Sequence, residues 1–426
     1  MEREKIAGAA VAVSKNGETI FEKGFGYRDL ALKEPVTTDT LFGCASVSKS
    51  FSAMGTMQLV DQGKVSVDDP VIKFLPEFRF RGARDMSLVR VRHLLSHTTG
   101  LPPMKRRPGV KTWEEHMDYL ATADYELLGR PGEYFSYCND TFLLLGAIIE
   151  RVSGKPYRQY MTENVLKAIG MERTSYDINE VARLGNRTEL YLRNAKAGVA
   201  EASPWGELGL YEVGGGVRSN VRALLKYGQV YLNGGVVDGN RVISAENVRR
   251  MWQPVYDMGQ RTYYCFALEN TPDFHGVTLV EHGGRQVGVS SNFGFVPEKN
   301  IAAAVLTNTS EVPSADLWLA AVNTALCLPL NTPRHELQSY DMPLSILPKF
   351  VGHFTAAEGQ DIRVELAGGA LVMRTQGQAA PLTAVDGVSF AYTMNGKIET
   401  IRYYFSETGT PWAMYYSHRM LRKRED

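Results

Sequence analysis

The chain reads as an α+β protein: one antiparallel sheet flanked by helices, with a helical region inserted between its first and last strands, then a small C-terminal antiparallel β-barrel. Three observations lead there. Ala9 to Ser14 and Thr19 to Gly26 read as two strands around Asn16-Gly17, the dipeptide that suits a tight hairpin turn. Residues from about 46 to 250 follow a helical pattern broken by Gly and Pro, and strand patterns return only afterwards, so sequentially distant ends supply one sheet. After residue 350 the texture changes to about eight short alternating segments, the pattern of a small barrel or sandwich.

Taken in order, the helical segments fall near 46–62, 112–122, 140–153, 156–168 and 221–233. The returning strands fall at 262–269, 277–282, 290–296 and 301–307, followed by a helical stretch at 314–327. A Gly/Pro-punctuated stretch opening Leu328-Pro-Leu-Asn-Thr-Pro333 reads as a linker. Barrel strands include Ile362–Leu366, Ala370–Arg374 and Ile398–Tyr404. The expected division is a catalytic unit over 1–330, a linker over 331–347 and the barrel over 348–426.

Composition narrows the class. At 426 residues, with 44% hydrophobic and 22% charged residues, two globular domains are expected. Lys+Arg and Asp+Glu both number 47 and no long basic run occurs, which argues against nucleic acid as a partner. No apolar stretch is long enough to span a bilayer. Charges but no apolar core of signal-peptide length precede the first strand, so a cytoplasmic location is expected; an exported chain stripped of its leader would read the same. Cys44, Cys138, Cys265 and Cys327 have neither Cys-x-x-Cys nor metal-ligand spacing and read as free thiols acting as small apolar fillers. No metal motif, P-loop, full dinucleotide fingerprint or Gly-x-Ser-x-Gly elbow is found, so no cofactor is expected.

Chemistry concentrates in three places. In Leu41-Phe-Gly-Cys-Ala-Ser46-Val-Ser-Lys49-Ser-Phe51, Ser46 falls on the first turn of a helix, and residues three apart share a face, so the Lys49 amine reaches the Ser46 hydroxyl. A serine becomes a nucleophile when something takes its proton, and a lysine can do so once burial and the helix dipole depress its ammonium pKa. In Phe135-Ser-Tyr137-Cys-Asn139, a loop enters an apolar helix. A tyrosine beside a lysine can shuttle a proton to a leaving group, and Asn139 can orient Lys49 and hold a substrate carbonyl. Tyr231-Leu-Asn233 has the same spacing, but Asn233-Gly234-Gly235 marks it as a helix end. In Glu281-His282-Gly283-Gly284-Arg285, at a strand end, two glycines admit a ligand to the backbone. The N–H groups of Ser46 and Arg285 could then form an oxyanion hole. Lys105-Arg106-Arg107 and Lys111 read as a solvated surface loop rather than an entrance selecting acidic groups.

The three motifs, in this order and on these elements, resemble the serine hydrolases of the class C β-lactamase, D,D-peptidase, D-aminopeptidase and family VIII esterase group. Secondary signatures agree: His93-Leu-Leu-Ser-His97-Thr-Thr-Gly-Leu-Pro102, Gly170-Met171 with Thr174, Gly214-Gly-Gly-Val-Arg-Ser-Asn220 and Thr307-Asn308. The resemblance covers roughly residues 9 to 327. It implies a β-lactamase/penicillin-binding-protein-like fold, Ser46 as acyl-accepting nucleophile, Lys49 as its base partner and Tyr137 as base or leaving-group acid. It also implies Asn139, His282, Gly283 and Gly284 on the substrate side. The appended barrel resembles the extra β domains of D-aminopeptidase-like and archaeal peptidase members and is expected to be lipocalin-like. Class C β-lactamases carry Lys-Thr-Gly where this chain has His282-Gly283-Gly284, so efficient antibiotic hydrolysis is not expected and slow acylation by penicillins is. Small peptide or amide substrates are favoured over the ester substrates of a carboxylesterase or acyltransferase. A catalytically silent sensor or scaffold is the reading from another class, and oligomeric state, a homo-oligomer included, stays open.

Overall fold

The computed structural model describes residues 1, 4–193, 200–394 and 397–424. The hairpin at the N-terminus is β1 (Gly8–Lys15) and β2 (Glu18–Asp29), with a short edge strand β3 (Glu34–Pro35). Three helices then carry the inserted region's core: α1 (Ser48–Asp61), α2 (Asn139–Ser153) and α3 (Val221–Leu232). The chain returns through β4 (Tyr256–Gly259), β5 (Thr262–Tyr264), β6 (Glu269–Phe274), β7 (Val277–Gln286), β8 (Val289–Val296) and β9 (Ile301–Thr307), and closes with α4 (Ser314–Ala325). One nine-stranded sheet results, in the order β4-β5-β6-β7-β8-β9-β1-β2-β3, with β1 running antiparallel to β9 from Ala9↔Thr307 to Lys15↔Ile301.

The expected strand over 262–269 is two strands, because Ala267 adopts φ +56° and the Cys265 N–H bonds to the Leu268 carbonyl at 2.8 Å, turning the chain. The strand expected over 277–282 runs on to Gln286, so the His-Gly-Gly motif lies inside β7 rather than at its end. Tyr231 is buried within α3, and Gly234 and Gly235 follow at φ +61° and +89°, the helix ending read from the sequence.

The sheet is covered on both faces, which is why β9 is buried at every position. Period-two alternation divides it: Ala302, Ala304 and Leu306 join the large core beneath the helical region, while Ile301, Ala303 and Val305 pack with Trp318, Leu319 and Val322 of α4. α1 is buried nearly all round, as a helix with no clear polar face must be. Its small polar residues are satisfied inside: the Ser50 hydroxyl donates to the Val47 carbonyl at 2.8 Å, and Ser48 accepts the Val217 N–H at 2.9 Å. Burial of α1 fixes where its first turn, and so Ser46, can lie.

The C-terminal region forms a second nine-stranded antiparallel sheet from β10 (Gly352–Thr355), β11 (Asp361–Ala367), β12 (Ala370–Thr375), β13 (Gln378–Pro381), β14 (Thr383–Ala384), β15 (Ser389–Met394), β16 (Lys397–Phe405), β17 (Pro411–Tyr416) and β18 (Arg419–Lys423). The order β13-β12-β11-β10-β18-β17-β16-β15-β14 places at its two edges strands that are neighbours in sequence, so the sheet curls into a nearly closed barrel. Its core is its own, built on Phe350, Phe354, Ile362, Met373, Phe390, Tyr403 and Leu421. Met342 and Leu347 already belong to that core. The preceding stretch is tied to the first sheet: Arg334 pairs with Glu281, and His335 bonds Thr262 at 3.1 Å. Among the described residues, no helix is long and apolar enough to cross a membrane.

Candidate active site

Ser46 sits in a single tight turn, Ala45–Val47, that leads directly into α1. Ala45 holds φ +46°, a conformation that costs a residue with a Cβ on the order of 1–3 kcal/mol and that recurs at functional turns. Lys49, one turn on, is fully buried and places its amine 3.2 Å from Ser46 Oγ, 2.8 Å from Asn139 Oδ1 and 3.0 Å from the Gly214 carbonyl. Burial holds the Lys49 pKa well below the ordinary lysine value, and the Arg106 and Arg419 cations push it further down against Glu358 and Cys138. A neutral amine has two hydrogens and one lone pair. In that form the two carbonyl oxygens, which can only accept, take the hydrogens, and the lone pair is left for the Ser46 hydroxyl.

Gly214, in the short helix Glu212–Gly215, was legible only as part of a glycine run. Its carbonyl proves to be one of the three partners of Lys49, and a Cβ on it would stand 2.9 Å from Lys49 Nζ. Gly214→Ala is expected to leave the fold intact and to slow Ser46 acylation by roughly 10- to 100-fold through displacement of the amine. Time-resolved mass spectrometry of the serine adduct checks this.

Asn139 opens α2, and Tyr137 precedes it in an extended approach. The Tyr137 ring lies with its centroid 5.0 Å from Lys49 Nζ and 4.1 Å from the His97 ring. Burial pushes the Tyr137 pKa up; Ser46 is the neighbour that most favours its phenolate, yet the hydroxyl makes no well-formed hydrogen bond among the described residues. Tyr137 is therefore kept as a phenol beside the Lys49 amine. His97, itself at φ +54°, accepts the Cys138 N–H on Nδ1 at 3.3 Å, which leaves its Nε2–H buried and unpaired.

His282 is buried in β7. Its Nδ1 lies 2.6 Å from the Gly283 carbonyl and must donate there, so Nε2 accepts from the Tyr264 hydroxyl at 3.2 Å. Burial lowers its pKa to about 4, against Glu269, and the ring is neutral. Gly284 is required by close approach. A Cβ there would come within 2.4 Å of the Cys44 carbonyl and 3.0 Å of the Ser46 amide nitrogen, which shows how tightly β7 passes the nucleophile's turn. Beyond Glu281 the strand keeps a ladder partner on one side only, up to Gln286↔Val289. Cys44 and Cys138 flank these groups as buried free thiols, each pushed up to about 12 by burial.

A match to the family model described as Beta-lactamase runs over residues 1–326. The chain belongs to the beta-lactamase family. Members of this family are serine hydrolases. This beta-lactamase-family chain is 30% identical over 179 residues to "Protein flp" of Staphylococcus aureus (strain MW2), covering 41% of the chain and 36% of that protein. It is 31% identical over 181 residues to "Penicillin-binding protein 4*" of Bacillus subtilis (strain 168), covering 41% and 38%. It thus spans little more than a third of the length of these curated relatives. Among solved structures, the octameric penicillin-binding protein homologue from Pyrococcus abyssi matches with a TM-score of 0.72 at 27% identity, covering 99% of this chain and 97% of that one. SurE matches with a TM-score of 0.79 at 22% identity, over 99% and 96%.

The barrel of this beta-lactamase-family protein reaches the same pocket, through residues that sequence reasoning did not single out. The turn between β17 and β18, Ser417-His418, has both φ positive, at +46° and +68°. That is the mirror-image turn a hairpin prefers, made here without the usual glycine. Its strain is offset by what the turn touches: the His418 carbonyl accepts the Tyr137 N–H at 2.8 Å, and the His418 ring lies 3.4 Å from half-buried Glu269. The Arg419 guanidinium lies 4.9 Å from the Tyr137 ring centroid. Arg106, expected on a solvated loop, has an exposed stem but pairs with Glu358 of the barrel at 3.4 Å. Its loop is pinned on both sides, with the Tyr119 hydroxyl donating to the Lys105 carbonyl at 2.7 Å and the Arg107 N–H donating to the Tyr211 hydroxyl at 2.9 Å. The third motif itself carries no cation, yet Arg106 and Arg419 bring two to the pocket.

Proposed function

We propose that the chain is a peptidase or amidase of the D-aminopeptidase or D,D-peptidase kind that cleaves small peptide or amide substrates through an acyl-enzyme on Ser46. The observation that carries this is the buried Lys49 amine, 2.8 Å from Asn139 Oδ1, 3.0 Å from the Gly214 carbonyl and 3.2 Å from Ser46 Oγ, so that in its neutral form two hydrogens go to the carbonyls and the lone pair faces the hydroxyl. In this reading Ser46 Oγ bonds to the carbonyl carbon as its proton passes to Lys49 Nζ, and the N–H groups of Ser46 and Arg285 hold the oxyanion. The C–N bond then breaks, and the departing amine takes a proton from Tyr137, which regains one from the Lys49 ammonium. Water attacks the ester on the reverse of that path and frees Ser46. Asn139 and His282 orient the substrate, and Gly283 and Gly284 let it approach the strand. In this reading residues 1–330 form the catalytic unit, 331–347 a linker whose Met342 and Leu347 pack into the barrel core, and 348–426 a lipocalin-like barrel.

The proton inventory supports amide cleavage, because an amine leaves poorly unless protonated and Tyr137 is kept as a phenol at the site. Intact-protein mass spectrometry after a fluorophosphonate or penicillin tests the acyl step. A panel of D- and L-aminoacyl p-nitroanilides against p-nitrophenyl esters then tests the substrate class. A Ser46 adduct with D-anilide turnover is expected. Turnover of esters alone would replace the peptidase reading with a carboxylesterase or acyltransferase, and no adduct at all would leave a silent binding protein.

A further inference from the structure

Glu358 stands in a tight turn between β10 and β11, held by the Gly359 N–H to the Ala356 carbonyl and the Ala356 N–H to the Gln360 carbonyl, both 3.0 Å. Its side chain is 14% exposed and receives donors from three directions: Arg419 at 2.8 Å, Arg106 at 3.4 Å and the Asn139 side-chain amide at 3.4 Å. Arg419 belongs to the barrel, whereas Arg106 and Asn139 belong to the helical region. Asn139 is thereby gripped at both ends, its Oδ1 by Lys49 and its Nδ2 by Glu358. We propose that Glu358 is a positioning residue for acylation, supplied by the barrel, that fixes the orientation of the Asn139 amide and through it the direction of the Lys49 lone pair.

The argument rests on which end of an amide faces which partner. With Glu358 present, Nδ2 has a carboxylate to donate to and Oδ1 remains for Lys49. Without it, the amide faces two guanidinium groups, which attract its oxygen. An Asn139 turned around presents N–H groups to Lys49, and these compete with the Ser46 hydroxyl for the single lone pair. A side chain of the barrel, well past the first sheet's last helix and the linker, would thus decide whether the base points at the nucleophile. The charged and titratable groups facing Lys49 are Arg106, Arg419, Glu358, Cys138, Tyr137, His97 and His282. Among them Glu358 favours the ammonium, and Arg106 opposes it.

This inference rests on the reading of Ser46 and Lys49 given above, and the experiment separates the two. Full-length Glu358→Ala, Glu358→Gln and Arg106→Gln are compared with the parent for the rate of Ser46 labelling by a fluorophosphonate across pH, with melting curves for each. Glu358→Ala is expected to slow labelling by roughly 10- to 100-fold. Glu358→Gln keeps an acceptor for Asn139 and is expected to recover most of the rate, with its acidic limb moved to lower pH. Arg106→Gln is expected to move that limb to higher pH. The opposite limb shifts report the charge each residue sets at Lys49, and loss of rate in Glu358→Ala that Glu358→Gln recovers, at unchanged melting temperature, reports the hold on Asn139. Normal rates and unmoved limbs in all three, with Ser46 labelled in the parent, overturn the role of Glu358 and leave the acyl-enzyme reading standing. No labelling in the parent overturns both. If Glu358→Ala melts early, the Glu358→Gln limb alone decides.

Discussion

Ser46→Ala is expected to abolish every covalent adduct with a fluorophosphonate or penicillin and to lower turnover on any accepted substrate by at least about 10⁴-fold. No neighbouring hydroxyl can substitute. Ser48 and Ser50 are fully buried and spend their hydroxyls on Val217 and Val47 respectively. The fold should survive, because Ser46 Oγ has the Lys49 amine as its hydrogen-bond partner, and removing one such contact in a half-buried site costs about 1 kcal/mol. Intact-mass spectrometry and a melting curve on the same sample report both quantities. A variant that keeps normal turnover would show that the nucleophile lies elsewhere.

Most of the first fold was readable because its signals are local. Asn16-Gly17 marks the hairpin, Gly234 follows α3, and the apolar run from Ile301 to Leu306 marks a strand, each within a window of a few residues. The Ser46–Lys49 pair was readable for the same reason, since three residues on a helix set the distance. What was misplaced depended on glycines with two meanings. Gly283-Gly284 reads as a strand end from sequence, but here it is strand interior, emptied of side chains so that β7 can pass Cys44 and Ser46.

The unreadable part is the joint between the two sheets. Asn139 meets Glu358 across 219 residues and Arg106 meets it across 252, and no spacing rule spans such separations. The Ser417-His418 turn lacks the Asn-Gly signature that announced the first hairpin, since its strain is balanced by contacts to Tyr137 and Glu269 rather than by residue choice. Gly214 had a visible signal, a run of three glycines. Its meaning, a carbonyl for Lys49 with no room for a Cβ, depended on the packing of a helix 165 residues away.

Lys49→Met is expected to cut the acylation rate by several orders of magnitude, because it removes the proton acceptor while keeping an unbranched chain of similar reach in a fully buried slot. The pH behaviour of stability supplies a second, independent reading. In the folded chain Lys49 titrates well below its ordinary value of 10.5, whereas in the unfolded chain it keeps that value. Between the two, the unfolded state binds one more proton than the folded state, so this lysine makes stability rise with pH through that window and level off above about 10.5. Methionine cannot titrate. The difference in melting temperature between parent and variant should therefore grow in the parent's favour from pH 7 to 10, once the constant cost of the two orphaned carbonyls of Asn139 and Gly214 is subtracted. A difference independent of pH would mean that Lys49 stays charged in the folded protein. It would then hold Ser46 by charge, and the proton would have to leave by way of Tyr137.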